Sequence, residues 1–166
     1  RTLQSGKNEG GELLNEMIVS LFHEILEIEE LAVQQAAGVS LSVTEIHTLV
    51  AIGEEQRHMT AVAEALGITI STLTVAVNKL LQKGYVEKQR NEEDRRIVDV
   101  RLSPRGKLMV AAHDRFHRHM VSAALQGLCG DEAAALFKGV RNLQAFFLEE
   151  KKRCLRKIRR GEAFQK

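Results

Sequence analysis

The sequence predicts a mainly α-helical chain carrying one small β-hairpin. Three observations lead there. Pro104 is the only proline among 166 residues, so long helices meet no internal stop before it. Apolar residues recur at three-four spacing along most of the chain. Two short segments, YVEKQRN and IVDVRLS, instead carry β-formers on either side of a charged turn at EEDR.

The elements follow in order. The opening RTLQSGKNEG, residues 1–10, is polar, contains glycine and lacks a start Met; it reads as a flexible, trimmed or artificially added end outside the fold. Glu12 to Ala36 carries Leu14, Met17, Ile18, Leu21, Ile25, Ile28 and Ala32 on one helical stripe. SVTE, Ser42–Glu45, has the spacing of a capping box, with Ser42 as N-cap and Glu45 reaching back; Gly53 ends that helix. Thr60 opens a short helix that ends at Gly67. Thr69 caps the next one, which ends at Gly84. Two short helices joined this closely read as a helix-turn-helix. The two strands follow, with Val98, Val100 and Leu102 facing one way and Asp99 and Arg101 the other. A hairpin directly after a helix-turn-helix is a wing. SPRG starts another helix, with Ser103 capping and Pro104 at the first position, where its missing N–H costs nothing. Gly127 and Gly130 interrupt, and a last helix runs from Asp131 toward Ile158.

On a helical wheel, Ile70, Leu73, Val77, Leu80 and Leu81 form the core-facing side of the Thr69 helix. Ser71, Thr72, Val75, Asn78 and Lys79 form the other side. A recognition helix reads base edges with such residues: hydroxyls serve either base type, Asn pairs with adenine, and Val meets a thymine methyl. Thr69 and the free N–H groups of the first turn suit a phosphate. The bland alternative is an ordinary solvated helix face; the helix before it and the hairpin after it favour DNA. In the wing, Lys88, Arg90, Arg95, Arg96 and Arg101 supply positive charge for a neighbouring minor groove. Asp94 is expected to brace Arg95 or Arg96 through a carboxylate–guanidinium pair, while Glu92 and Glu93 stay solvated. An ordinary charged hairpin tip would carry the same pattern.

The formal net charge is only +2, but it is unevenly spread. Asn8 to Gln56 holds ten glutamates and no Lys or Arg, whereas Lys151 to Arg160 holds seven cations and no acid. Cys129 and Cys154 lack metal-ligand spacing and are too few for a secreted disulfide framework. No apolar run reaches membrane-spanning length and no signal peptide is visible, so a cytoplasmic chain with no membrane partner is expected. No phosphate loop, nucleophile elbow or base-linked metal motif is present; the chain is expected not to be an enzyme and to need no cofactor.

LAVQQAAGVSLSVTEIHTLVAIG, VAEALGITISTLTVAVNKLLQKGYVEKQRNEEDRRIVDVRLSPRGK and the two closing helices resemble the MarR family of bacterial winged-helix regulators. The resemblance covers about Gly11 to Arg153, and the D-R-R, strand, L-S-P-R-G run is its most specific part. It implies a homodimer, with residues 11–40 and 104–160 as dimerisation helices, 41–103 as the winged DNA-binding lobe and 161–166 as a tail. It implies a transcriptional repressor acting on a pseudo-palindromic operator in double-stranded DNA. It also implies that Asp94 holds Arg96, with Arg95 at the wing tip. LFHEILEIEE, EIHTLVAIG and RGKLMVAAHDRFHRHMV are most similar to the branch that represses fatty-acid synthesis genes. That branch responds to acyl chains on acyl carrier protein.

An acyl effector needs an apolar tunnel. Phe22, Ile25, Ile46, Val50, Leu108, Phe116 and Met120 could line one, with His47 and His113 at its polar edge; a filled core is the competing reading. A small aromatic or apolar ligand, or zinc, is the alternative effector. His113 and His117 stand four apart, as a zinc pair would, but a closed site needs four ligands and neither cysteine has a histidine near it in sequence. No metal site is therefore expected. A winged-helix module used only for protein–protein contact is the more distant alternative.

Overall fold

The structure, a computed structural model, describes the backbone of residues 2–38, 41–90 and 98–159, and the side chains of 10–35, 38, 41–89 and 98–158. The described elements run α1 (Thr2–Ala37), α2 (Val43–Ile52), β1 (Arg57–His58), α3 (Met59–Leu66), α4 (Ile70–Gln82), β2 (Val86–Arg90), β3 (Val98–Leu102), α5 (Pro104–Leu125) and α6 (Gly130–Arg159). The chain divides into two units, Arg1–His119 and Met120–Lys166. No single described helix is long and apolar enough to cross a membrane.

α1 is already helical at Thr2, within the stretch expected to lie outside the fold. Residues 2–11 contain no proline, and Gly10 and Gly11 each lower helix propensity by only about 1 kcal/mol relative to Ala. Most of the apolar stripe of α1 is uncovered: Leu14, Met17, Leu21 and Ile28 are 45–59% exposed. Val33, near the helix end, is buried in the core.

α2 begins on the expected capping box. Ser42 N–H donates to Glu45 Oε2 at 2.9 Å, and Glu45 N–H donates to Ser42 Oγ at 3.3 Å. The other oxygen, Oε1, accepts from Lys83 Nζ at 2.7 Å, tying the start of α2 to the residue after α4. Burial pushes the Glu45 carboxyl up, but the Lys83 and Ser42 hydrogen bonds and the Lys83 charge outweigh it and hold the group below its ordinary value of 4.5. A depressed folded-state value stabilises the fold above the unfolded value and loses that stabilisation as pH falls through the folded one. Unfolding midpoints measured downward from pH 4.5 should therefore fall less steeply for Lys83→Met than for the wild type. Identical acid slopes would remove Lys83 from this role.

α3 and α4 form the helix-turn-helix, their axes turning by 107°. Gly67 makes the turn in the left-handed region (φ 66°), where a side chain is strained. Its N–H donates to Glu64 O and that of Ile68 to Ala63 O, both at 3.1 Å, closing the end of α3. α3 starts at Met59, one residue before the expected Thr60. His58 occupies the N-cap without a side-chain capping bond, because its ring is engaged by Asp99.

The three-stranded sheet has the order β1–β3–β2, all antiparallel. β1 was not anticipated: two residues, Arg57 and His58, pair with Val100 and Asp99. It also corrects the alternation expected of β3. Val98 is 36% exposed, while Asp99, assigned to the outer face, is 2% exposed. Gln56 Nε2 donates to Asp99 Oδ2 at 2.7 Å, and His58 Nδ1 meets Oδ1. The β1 segment thus covers the carboxylate and provides the polar contacts that burial requires.

The core lies within the first unit. Ile46, Leu49, Ile52, Val62, Leu73, Val77, Leu80 and Val100 are at most 1% exposed. Burying each such aliphatic side chain contributes about 1.5–3 kcal/mol relative to exposing it. α5 starts as expected at Ser103. The Ser103 hydroxyl accepts from Gly106 N–H at 3.1 Å and donates to Gly84 O at 2.7 Å, joining the start of α5 to the turn after α4.

Candidate nucleic-acid interface

α4 presents the anticipated face. Leu73, Val77 and Leu80 are buried at i, i+4 and i+7 and set the rotation of the helix. Ile70 and Leu81, also expected inside, are 48% and 41% exposed; the buried stripe is narrower than the sequence suggests. Ser71, Thr72, Val75, Asn78 and Lys79 all lie exposed, so the residues proposed to read bases share one open side.

Thr69 caps α4 by accepting from Thr72 N–H at 3.2 Å. Its Oγ1 also lies 2.9 Å from Ser71 Oγ and 2.8 Å from Thr72 Oγ1. Three hydroxyls thus cluster at the positive end of the helix dipole, a setting that favours an anionic contact. At the other end of the face, Lys88 Nζ donates to Asn78 Oδ1 at 2.6 Å. β2 is therefore tied directly to the reading face of α4. This link across ten residues was missed; Lys88 and Asn78 were separately named, but no periodicity signals their contact.

The wing is only partly described. Asp94, Arg95 and Arg96 lie outside the described residues, as does the side chain of Arg90. Arg101, counted among the wing cations, is instead neutralised by its cross-strand neighbour Glu87, with Nε at 2.8 Å and Nη2 at 2.7 Å from Oε2.

The residues named for an effector tunnel do not share one environment. Ile46 is in the core, Ile25, Phe116 and Met120 are half-buried, and Phe22, Val50 and Leu108 are 61%, 37% and 65% exposed. His47 and His113 do come together, but around a charge that sequence reasoning passed over. Glu29, 2% exposed on α1, lies 3.3 Å from His47 Nε2, 3.5 Å from His113 Nε2 and 2.7 Å from His117 Nε2. Burial holds the His113 pKa below its usual value, and the neighbouring His117 adds to this against the opposing pull of Glu29. In the second unit, two of the C-terminal cations are not free: Lys152 and Arg153 bond to Glu149 and Glu150 within α6.

A model described as MarR family matches residues 38–97, the stretch from the end of α1 into the wing. The chain is similar to Streptococcus pneumoniae FabT, solved in complex with DNA, at 34% identity and a TM-score of 0.76, covering 83% of this chain and 97% of that one. The chain belongs to the MarR family. Two further transcriptional regulators extend the likeness. The transcriptional regulator BldR of Sulfolobus solfataricus matches at 27% identity and a TM-score of 0.56, over 82% of this chain and 95% of that one. YhjH of Bacillus subtilis (strain 168), an uncharacterized HTH-type transcriptional regulator, is 30% identical over 93 residues. That match spans 55% of this chain and 53% of the relative, about half the length of the curated protein. As a MarR winged-helix regulator, the chain carries the expected helix-turn-helix and antiparallel wing sheet on the same residues.

Proposed function

We propose that this MarR regulator is a homodimeric, sequence-specific DNA-binding repressor that places α4 in the major groove and the β2–β3 wing beside it. The observation carrying this reading is the open Ser71, Thr72, Val75, Asn78 and Lys79 face, joined to β2 through Lys88. The DNA complex of the 34%-identical FabT supports the choice of ligand. Dimerisation is supported by the uncovered apolar side chains of α1 and, in the second unit, by Phe137, Val140, Phe146 and Phe147 on α6, 47–61% exposed. Apolar surface of this extent marks an interaction face.

Selection from random duplexes, followed by affinity measurement across a salt series, tests the reading. One pseudo-palindromic motif should emerge, bound with a steep inverse salt dependence. Arg95→Ala and Arg96→Ala should each weaken binding about tenfold or more without unfolding the protein, as expected for lost minor-groove contacts. Asp94→Ala should weaken it too, although it removes a negative charge. Tighter binding by Asp94→Ala would reject the bracing role of that carboxylate, and no preferred motif would reject the DNA reading in favour of a protein-contact module.

We further infer that the effector is an acyl chain, free or on acyl carrier protein, and that the regulated genes serve fatty-acid synthesis. The identity to FabT over 97% of its chain supports this branch. Native mass spectrometry of the protein as purified from cells tests it: the expected result is a dimer retaining a lipid or acylated carrier. A dimer that neither retains nor binds an acyl species would remove the inference.

A further inference from the structure

We propose that Glu29, His47, His113 and His117 form a Zn²⁺ site that fastens α2 to α1 and α5. The inference does not rest on DNA binding.

The four side chains come from three helices and gather around the Glu29 carboxylate, with His117 reaching Oε1 and His113 from beside the other three. Ligand atoms of Glu29, His47 and His113 lie within 4.8 Å of one another. All three histidines present Nε2. The edges are 3.3 Å from Glu29 Oε2 to His47, 3.5 Å from Glu29 Oε1 to His113, 2.7 Å from Oε1 to His117, and 3.0 Å between His113 and His117. Atoms bound about 2.0–2.1 Å from a tetrahedral Zn²⁺ stand roughly 3.3 Å apart. Three of these edges lie within a few tenths of an ångström of that spacing, and the Glu29–His117 edge is shorter by about 0.6 Å, so His117 would have to draw back to join the cage. The missing fourth ligand, which counted against metal in the sequence, is Glu29, a carboxylate on α1 with no sequence motif around it.

Without a cation the arrangement leaves polar atoms unanswered. Glu29 Oε2 and His113 Nδ1 are buried and make no hydrogen bond, the approach of His47 Nε2 to Oε2 at 3.3 Å falling outside hydrogen-bond geometry. An unsatisfied buried carboxylate oxygen is costly, and a divalent cation at the centre would satisfy it. His113 Nδ1 lies 3.6 Å from Asp114 Oδ1, too long for a hydrogen bond, though a small shift would make one. A carboxylate behind a ligating imidazole is the usual support of a zinc histidine. The set holds three imidazoles, one carboxylate and no sulfur, which suits Zn²⁺ and disfavours Cu⁺.

The test uses the full chain, free of any tag, titrated with Zn²⁺ against a chromophoric chelator and with Co²⁺ as a spectroscopic substitute. One ion per chain is expected, with the intense visible bands of four-coordinate Co²⁺ and a raised melting temperature on Zn²⁺ addition. His47 and His117 side chains are 45% and 35% exposed, so His47→Gln and His117→Gln should keep the metal-free fold, checked by circular dichroism. Each should weaken binding at least about tenfold, the least that loss even of an outer-shell partner costs, and abolish the thermal shift. Absence of stoichiometric binding to the wild type overturns the proposal. So does binding that both variants retain unchanged, which would place the ion on other histidines.

Discussion

Gly106→Ala should destabilise the protein by about 2–4 kcal/mol, lowering its melting temperature by roughly 5–15 °C at fixed protein concentration. In an open helix the same change would help, since Ala exceeds Gly in helix propensity by about 1 kcal/mol. Here the added Cβ would lie 2.1 Å from Tyr85 O, 3.2 Å from Tyr85 C and 3.3 Å from Leu102 Cδ2. The closest obstacle is backbone and cannot rotate away. Tyr85 O also accepts from Ser103 N–H at 3.0 Å, while Ser103 Oγ links Gly106 N–H to Gly84 O. Moving α5 outward to admit a methyl group would strain each of these bonds. Urea unfolding of the purified variant measures the cost; a neutral or stabilising result would mean that α5 does not sit this close to Tyr85.

The second large effect is expected at Asn78. Asn78→Ala should weaken binding to the selected operator about 10–100-fold while changing binding to unrelated DNA far less. A well-placed asparagine–adenine pair accounts for about 1–3 kcal/mol of discrimination. The substitution also removes the acceptor that holds Lys88 Nζ at 2.6 Å, freeing β2 from α4. Lys88→Met separates the two contributions, because it breaks the link and leaves the amide in place. Competition binding with specific and nonspecific duplexes gives both ratios. Equal losses on both DNAs would make Asn78 a general backbone contact rather than a reader of sequence.

Much of the fold was legible because its signals are local. The Ser42–Glu45 box, the Thr69 cap, the Gly67 turn and the Ser103–Pro104 helix start each depend on residues within three or four positions, and each occurs where expected. Features built from distant residues were not legible. β1 is two residues long, too short to show alternation. Asp99 reads as an outward strand residue until β1 covers it. Glu29 is one of ten glutamates in an acidic stretch, and only the packing of α1 against α2 and α5 distinguishes it. The i, i+4 spacing of His113 and His117 was a usable hint, but the partners stand far from them in sequence. The open face of α4 was correctly composed, whereas its buried stripe was overestimated by Ile70 and Leu81, because a helical wheel gives direction and not depth.

The uncovered apolar flank of α1 has a consequence for the life of the chain in a cell. A newly synthesised copy carries Leu13, Leu14, Met17, Leu21 and Phe22 in contact with water. Under the proposed homodimer, a copy that has not met a second one is a target for chaperones and proteases, and meeting one becomes rarer as copies become fewer. Abundance would then protect abundance, and a falling supply would be cleared faster than dilution alone predicts.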